Sequence, residues 1–149
     1  MKNRNLNHKD DWETPPEFIA RLEKLYGKFD HDPCPIGGTD GLTTDWGENN
    51  FVNPPYSRKL KELFVMKGIE QMHKGKQSVF LLPVSTSTKL FHEVILPNAS
   101  LIRFVKGRLK FTGTNSKCER VSTGVGMHDS MVVLFNPNLP PVSHTGITQ

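Results

Sequence analysis

The first strong pattern along the chain is an amphipathic helix after residue 14. Phe18, Leu22 and Leu25 recur at the three-to-four-residue spacing that places apolar side chains on one face of a helix. Thr14 precedes two prolines, and Glu17 follows three residues later, which is the signature of a capping box at a helix start. The sequence therefore predicts a helix over residues 15–26 that is capped by Thr14.

Five short apolar runs and two further helical patterns alternate along the rest of the chain. The runs predict strands over residues 29–33, 51–52, 78–82, 101–105 and 131–135. The helical patterns predict helices over residues 60–73 and 88–95. Continuous apolar strands are typical of a buried parallel sheet, and their alternation with helices indicates an open α/β sheet with helices on both faces. In such a sheet, ligands bind beyond the carboxyl ends of the strands.

Length and composition limit the classes of protein that fit. A chain of 149 residues fits one domain, and its polar or proline-rich ends, about 1–10 and 137–149, predict flexible termini. Nineteen Lys and Arg against fifteen Asp and Glu give a net charge of +4, which is compatible with a polyanionic partner without requiring one. Cys34 and Cys118 lack the spacing of a disulfide framework or a zinc site, and no apolar run reaches the roughly 20 residues of a membrane span. We therefore expect a cytoplasmic protein without a metal.

The tetrapeptide Asn53-Pro54-Pro55-Tyr56 follows a predicted strand and carries the clearest chemistry. The two prolines stiffen the backbone and keep the residue before each of them out of the helical region. An Asn oxygen and the carbonyl of Pro54 offer two acceptors for the two hydrogens of a planar amine, and the Tyr ring can stack on the ring that carries the amine. This arrangement suits methyl transfer to an amino nitrogen of adenine or cytosine.

An ordered series of motifs surrounds this tetrapeptide and resembles the small phage-type DNA adenine-N6 methyltransferases. The series consists of Trp12-Glu13-Thr14-Pro15-Pro16-Glu17-Phe18, Asp32-Pro33-Cys34, Asp40-Gly41-Leu42 with Asp45-Trp46, Asn53-Pro54-Pro55-Tyr56-Ser57, Leu81-Leu82-Pro83 and Gly107-Arg108-Leu109-Lys110-Phe111. The resemblance covers residues 10–135. It implies a reduced class I methyltransferase, a Rossmann-like α/β sheet that takes S-adenosylmethionine as methyl donor and adenine in DNA as acceptor.

The resemblance also implies roles for individual residues. The catalytic residues are then Asn53, Pro54, Pro55 and Tyr56. The cofactor-binding residues are Trp12, Thr14, Pro15, Asp32, Pro33, Cys34, Asp40, Asp45 and Asn53. Asp40 and Asp45 compete for the same contact with the adenine or ribose of the cofactor, and the sequence does not choose between them.

Double-stranded DNA is the partner that this resemblance implies, in the cytoplasm of a bacterial host if a phage or prophage encodes the chain. The residues predicted to bind DNA are Tyr56, Arg58, Arg108, Lys110, Lys117 and Arg120. Two of these cations lie in a polar stretch, residues 112–130, that is predicted to be a long loop suited to phosphate contacts. A homodimer is compatible with the absence of a separate target-recognition domain.

The chain departs from the larger class I enzymes between Cys34 and Asn53. Only eighteen residues separate them, fewer than the roughly 30 of a strand-helix-strand crossover, and the usual glycine-rich loop is missing. Two alternatives therefore stay open. One is a methyltransferase acting on the side-chain amide of glutamine in a protein, and the other is a catalytically inactive relative that only binds nucleic acid.

Overall fold

The computed structural model describes residues 12–35, 40–114, 120–122 and 128–142. The elements in chain order are β1 (Trp12–Glu13), α1 (Pro16–Tyr26), β2 (Asn49–Val52), α2 (Arg58–His73), β3 (Gln77–Pro83), a π-helix (Leu90–Ile95) continued by α3 (Leu96–Asn98), β4 (Leu101–Phe104), β5 (Thr112–Thr114), β6 (Arg120–Ser122) and β7 (Ser130–Phe135). The fold is therefore mixed α/β, as the sequence predicts.

The central sheet has four strands in the order β2-β3-β7-β4. β2 and β3 are parallel, whereas β7 runs antiparallel to both of its neighbours. The sequence predicts an open α/β sheet without fixing the direction of each strand, and the structure adds that β7 is antiparallel. Burial of β7 on both faces gives it the same continuous apolar run that a parallel strand has, so the hydrophobic pattern does not reveal its direction.

Alternation along the strands divides the core between the two faces of the sheet. Phe80 and Leu82 of β3 pack on the face covered by α2 and the π-helix. Val79 and Leu81 pack on the opposite face, against Leu22 of α1. Because successive side chains of a strand point to opposite faces, a single apolar run supplies both layers of the core. Helices thus cover both faces, as expected.

Helix α2 has the predicted extent, but its buried face differs from the one that the apolar spacing indicates. Leu63 and Met66 are exposed, whereas Val65 and Gly68 are buried. A methyl group at Gly68 would lie 2.5 Å from the ring of Phe80, so glycine permits the close approach of α2 to β3.

A second, smaller sheet joins the two ends of the described chain. β5 lies between β1 and β6, and both pairings are antiparallel. Trp12 pairs with Gly113, and Glu13 pairs with Thr112. β5 and β6 lie in the stretch 112–130, where a long loop was predicted; β5 pairs with β6 nearby and with β1 about a hundred residues away.

The helix start and the first strand also differ from their predictions. Pro15 is the N-cap of α1 and makes no side-chain capping bond, so the capping box predicted for Thr14 is wrong. The predicted strand at 29–33 contributes a single parallel bridge, between His31 and Asn50, beside β2. At the other end of the chain, the N–H of Val142 donates to the carbonyl of Ala99 at 2.8 Å. None of the helices within the described ranges is long and apolar enough to cross a membrane.

Candidate active site

The motifs singled out in the sequence, apart from Asp45-Trp46, lie toward one edge of the central sheet. Parallel strands β2 and β3 end there, at Val52 and Pro83. The antiparallel strand β7 begins there, since Ser130 pairs with Pro83. We call this side of the sheet the carboxyl edge, and it is the position where open α/β sheets bind ligands.

Asn53 and Thr14 are joined by a hydrogen bond at the carboxyl edge. The side-chain nitrogen of Asn53 donates to the hydroxyl oxygen of Thr14 at 3.1 Å. Thr14 is 7 % exposed, and Asn53 is half-buried in the first position after β2. The bond connects residues 39 apart in the chain and fixes the rotation of the Asn53 amide. Thr14 thus orients a side chain of the tetrapeptide, instead of capping α1.

The remainder of the tetrapeptide is firmly held. Pro54 and Pro55 are buried, and the ring of Tyr56 meets the ring of His128 edge-on, with 6.2 Å between the ring centroids. The Tyr56 hydroxyl is buried without a hydrogen-bond partner among the described residues. Burial raises the pKa of Tyr56 above its ordinary value, so the phenol stays neutral at physiological pH. The Tyr56 hydroxyl is therefore available to a ligand that reaches the tetrapeptide.

Asp32 directly follows the bridge between His31 and Asn50. Its Oδ1 accepts a hydrogen bond from the N–H of Cys34 at 2.9 Å, in the turn that contains the buried Pro33. Burial of the carboxyl raises the pKa of Asp32, and the Cys34 N–H and the charge of His31 oppose that rise. A carboxylate with a raised pKa lacks compensating positive charge and is suited to receive a cationic or hydroxyl ligand.

The two competing carboxylates lie in different surroundings. Asp40 accepts the N–H of Leu42 at 3.0 Å, in a turn whose Gly41 packs directly on Pro33. Asp45 instead pairs with Lys74, at the C-terminal end of α2, at 2.9 Å. Asp40 therefore lies in the turn next to Asp32. Asp45 lies at the C-terminal end of α2, whereas the tetrapeptide precedes the N-terminal end of that helix.

The Asp45 carboxylate is engaged in the fold. It also accepts a hydrogen bond from the side chain of Gln71 at 3.2 Å. The hydrogen bonds from Lys74 and Gln71, together with the charge of Lys74, lower the pKa of Asp45 to about 2. The next residue, Trp46, is 3 % exposed and donates its indole N–H to the carbonyl of Gly41. Trp46 is thus a core residue, and it ties the turn at Asp40 to the sheet.

The predicted DNA-binding residues are distributed around the carboxyl edge. Arg108 pairs with Asp129 at 3.1 Å, immediately before β7, and both side chains are largely exposed. Arg58 begins α2, directly after the tetrapeptide, and Lys110 is exposed in the segment leading to β5. Arg120 is part of β6. Lys117 lies outside the described residues.

Two features of the site carry no signal in the sequence. His128 has no ligand spacing, and only the fold brings its ring against Tyr56. The pairing of β1 with β5 places Trp12 and Glu13 beside the strand that follows Phe111, so the opening and late motifs become neighbours. A cluster of three metal-ligating side chains is absent from the described residues.

Comparison with known proteins was made against families, curated proteins and solved structures. A family model described as "DNA N-6-adenine-methyltransferase (Dam)" matches residues 2–147. The chain is also similar to a DNA N-6-adenine-methyltransferase of Escherichia phage T1, with 40% identity over 107 residues. That match covers 63% of this chain and 44% of the phage protein, so the chain spans less than half the length of this relative. No solved structure matches the chain.

Proposed function

The chain belongs to the DNA N-6-adenine-methyltransferase (Dam) family, and from this we propose that it methylates the exocyclic amine of adenine in double-stranded DNA, with S-adenosylmethionine as donor. The observation that carries the proposal is the bond from Asn53 to Thr14, which joins the opening motif to the tetrapeptide at the carboxyl edge. A base must leave the duplex before its amine can reach such a site, so the substrate is a flipped adenine.

The topology supports a reduced class I methyltransferase sheet. The extended segment at His31, β2 and β3 are parallel neighbours, with helices packed on both faces of the sheet. Their carboxyl ends carry the polar side chains, as expected of doubly wound folds that bind nucleotides. The stretch from Asp40 to Trp46 forms a turn that packs on Pro33, and this turn stands where a larger enzyme has room for a helix and a strand.

The donor set at the carboxyl edge fits S-adenosylmethionine, which carries an ammonium group and ribose hydroxyls. Asp32 offers a carboxylate with a raised pKa, and Asp40 offers a second one from the adjoining turn. We assign the cofactor contact to Asp40 in preference to Asp45, because Lys74 and Gln71 already engage Asp45. Trp12, Thr14, Pro15, Pro33, Cys34 and Asn53 complete the proposed set. Bound S-adenosylmethionine supplies the electrophilic methyl group.

Asn53 and Pro54 act on the attacking nitrogen. The lone pair of the adenine amine is conjugated into the ring, so the nitrogen is a weak nucleophile. With its nitrogen donating to Thr14, Asn53 presents its side-chain oxygen to the amine, and a carbonyl oxygen has two lone pairs with which to accept. A second acceptor, the carbonyl of Pro54, completes a pair that favours a tetrahedral nitrogen. Catalysis then comes from positioning and electrostatics, since the proton can leave after the transfer.

Tyr56 and His128 form the wall of the base pocket. Tyr56 provides an aromatic face for the extruded adenine, which offsets part of an unstacking cost of a few kcal/mol. The edge-on contact with His128 holds the Tyr56 ring at one angle. Arg58, Arg108, Lys110, Lys117 and Arg120 are proposed to contact phosphates, and the exposed Arg108–Asp129 pair is weak enough to exchange for one.

A transfer assay with tritiated S-adenosylmethionine tests the proposal. Unmethylated duplex DNA and a protein extract are offered in parallel to the wild-type protein and to Asn53→Ala. The proposal predicts tritium in DNA with the wild type alone. Tritium in the protein fraction would assign the chain to glutamine-amide methylation instead. Binding of DNA without transfer to either acceptor would indicate an inactive relative.

A further inference from the structure

A cavity of about 320 Å³ opens between the start of α2 and the start of the π-helix. Its volume is at the lower end of the range of small-ligand sites. The lining residues are Arg58, Lys61, Glu62, Thr88, Lys89 and Leu90. Arg58 follows Tyr56 by only two residues, so the cavity borders the loop that carries Asn53.

The cavity has an excess of positive charge. Its one carboxylate, Glu62, is paired with Arg58 at 3.4 Å, and the Arg58 side chain is 87% exposed. Lys61 and Lys89 make no ion pair with any carboxylate of the described ranges. Glu62 compensates only one of the three cations that line the cavity, so an anion placed there is stabilised by the remaining positive charge.

The backbone that carries Lys89 is fixed. The hydroxyl of Thr88 donates to the carbonyl of Ser85 at 2.9 Å and accepts the N–H of Phe91 at 3.2 Å. Thr88 thereby anchors the start of the π-helix, and its hydroxyl is engaged in the fold. Lys61 is likewise fixed, because it lies in the first turns of α2.

The reach of the chain limits which anion the cavity can meet. Asn53 and Arg58 are five positions apart in the chain, and a fully extended stretch of that length spans at most about 18 Å between their Cα atoms. Phosphates succeed one another along a DNA strand with a rise of about 3.4 Å per nucleotide. A phosphate held in the cavity therefore lies within about five nucleotides of the base that Asn53 contacts.

We infer that Lys61 and Lys89 bind one backbone phosphate of the target DNA strand, within about five nucleotides of the flipped adenine. The inference rests on the proposed function and extends it to two residues outside the motifs. The two lysines fix the strand next to the base pocket. Their contact with the phosphate is independent of base sequence.

The test compares DNA binding by wild type and by the double variant Lys61→Gln/Lys89→Gln over a range of salt concentrations. Loss of one phosphate contact lowers the slope of log Kobs against log salt by about 0.9. Lys24→Gln/Lys28→Gln removes two exposed lysines from α1 and the residues after it, on the opposite face of the sheet, and serves as the matched control. We expect the smaller slope in the first variant alone, with an unchanged Kd for S-adenosylmethionine.

A second measurement changes the DNA instead of the protein. Uncharged methylphosphonates are placed one at a time along the target strand, and wild-type binding is measured. We expect a methylphosphonate at one position within five nucleotides of the adenine to weaken DNA binding by the wild type. The same methylphosphonate should cause no further loss of binding by the double variant. Equal slopes for both proteins, or the same loss at that position in both, would overturn the inference.

Methylation of adenine is measured on the same samples and separates this inference from the proposed function. Methylation by the wild type, together with equal salt slopes for the wild type and the double variant, would refute the phosphate contact and leave the proposed activity standing. A reduced slope without methylation would refute the activity alone. Failure of the wild type to bind DNA would refute both.

Discussion

Asn50 and Asn53 lie three residues apart, yet the fold uses the two side chains in opposite ways. Asn50 is fully buried, and its amide donates to the carbonyls of Gly47 and Gln77 at 2.8 and 2.9 Å. It also accepts the N–H of Gly47 at 2.9 Å. Asn53 is half-buried and donates to Thr14, at the edge where the motifs meet. The same residue type therefore serves the fold at one end of β2 and the proposed chemistry at the other.

The amino edge of the sheet, where β2 and β3 begin, contains a network of side-chain amide bonds, although the buried hydroxyls of Tyr26 and Ser78 have no partner among the described residues. The Asn49 nitrogen lies within hydrogen-bond distance of three carbonyls at the end of α1, and the Asn49 oxygen accepts from Gln77 at 2.8 Å. Gln77 in turn accepts from Asn136 at 2.6 Å. The carboxyl edge contains the Tyr56 hydroxyl, which has no partner among the described residues, and Asp32, whose pKa is raised. The side-chain amides of the amino edge thus bond to one another and to the backbone, whereas the carboxyl edge holds a carboxyl group with a shifted pKa, and this distinguishes the candidate site.

Substitution of Asn53 is the strongest test of this contrast. Asn53→Ala removes a proposed acceptor for the amine, and loss of one such polar group costs about 10²–10³-fold in kcat or more in other enzymes. We expect kcat to fall by at least about 10³-fold, with binding of S-adenosylmethionine within a few-fold of wild type. Steady-state kinetics and calorimetry measure the two effects. Turnover close to the wild-type rate would remove Asn53 from the mechanism.

Substitution of Asn50 is expected to act on stability. Asn50→Ala removes three hydrogen bonds in the buried amino edge, which at about 1 kcal/mol each gives a loss of about 3 kcal/mol in the free energy of unfolding. Urea denaturation measures the change. The folded fraction should keep its activity. A decrease in the free energy of unfolding below about 1 kcal/mol would show that the three hydrogen bonds of Asn50 contribute little to stability.

Asp32→Asn is expected to weaken cofactor binding without weakening the fold. Burial raises the pKa of Asp32 above 3.8, so the folded state binds the proton more tightly than the unfolded state does. The contribution of Asp32 to the free energy of unfolding is present below pH 3.8 and is lost as pH rises through the folded-state pKa. At pH 7 the ionised carboxyl therefore costs stability, and the neutral side chain of Asn removes that cost. We expect about a tenfold higher Kd for S-adenosylmethionine, since bonds to charged groups are the stronger ones, together with unchanged or increased stability. An unaltered Kd would exclude Asp32 from the cofactor site.

Thr14→Val keeps the shape of a buried side chain and removes the hydroxyl that accepts from Asn53. Loss of one neutral hydrogen bond, about 1 kcal/mol, corresponds to about a five- to tenfold lower kcat if the bond positions the amide. Thr14→Ser keeps the hydroxyl and should restore the rate. Equal rates for the Val and Ser variants would leave Thr14 with a packing role only.

Asp45→Asn should have the smallest effect, since Asp45 and Lys74 are exposed. Hydrogen bonds from Lys74 and Gln71 lower the pKa of Asp45 to about 2, so the stability that it contributes is present above 3.8 and is lost as pH falls toward 2. We expect a small decrease in Tm at pH 7 that vanishes near pH 2, with kcat and cofactor binding unchanged. A higher Kd for S-adenosylmethionine would instead assign the cofactor contact to Asp45.

The fold could be predicted where burial produces a readable pattern. The apolar runs locate β3, β4 and β7, and the periodicity locates α1 and α2. The buried face of α2 could not be read from the same periodicity, because it includes Gly68 and the polar Gln71. The direction of β7 and the pairing of β5 with β1 depend on partners distant in the chain, and local propensity contains no record of them.

The candidate site could be predicted to the level of its motifs. Asn53 and Thr14 were both singled out, but the sequence assigns Thr14 to a helix cap, because a hydroxyl before two prolines has the same local pattern in either role. The bond between them and the contact of His128 with Tyr56 are non-local, so only the folded chain contains them. The choice between Asp40 and Asp45 likewise required the position of Lys74.

Mass spectrometry of nucleosides from DNA treated with the protein tests the central claim most directly. Duplex DNA lacking methylated bases is incubated with S-adenosylmethionine and either the wild type or Asn53→Ala, and the modified nucleosides are identified. We predict N6-methyladenine with the wild type and none above background with the variant. Methylated cytosine in place of methylated adenine, or N6-methyladenine formed equally by both proteins, would contradict the assignment of the carboxyl edge as an adenine methylation site.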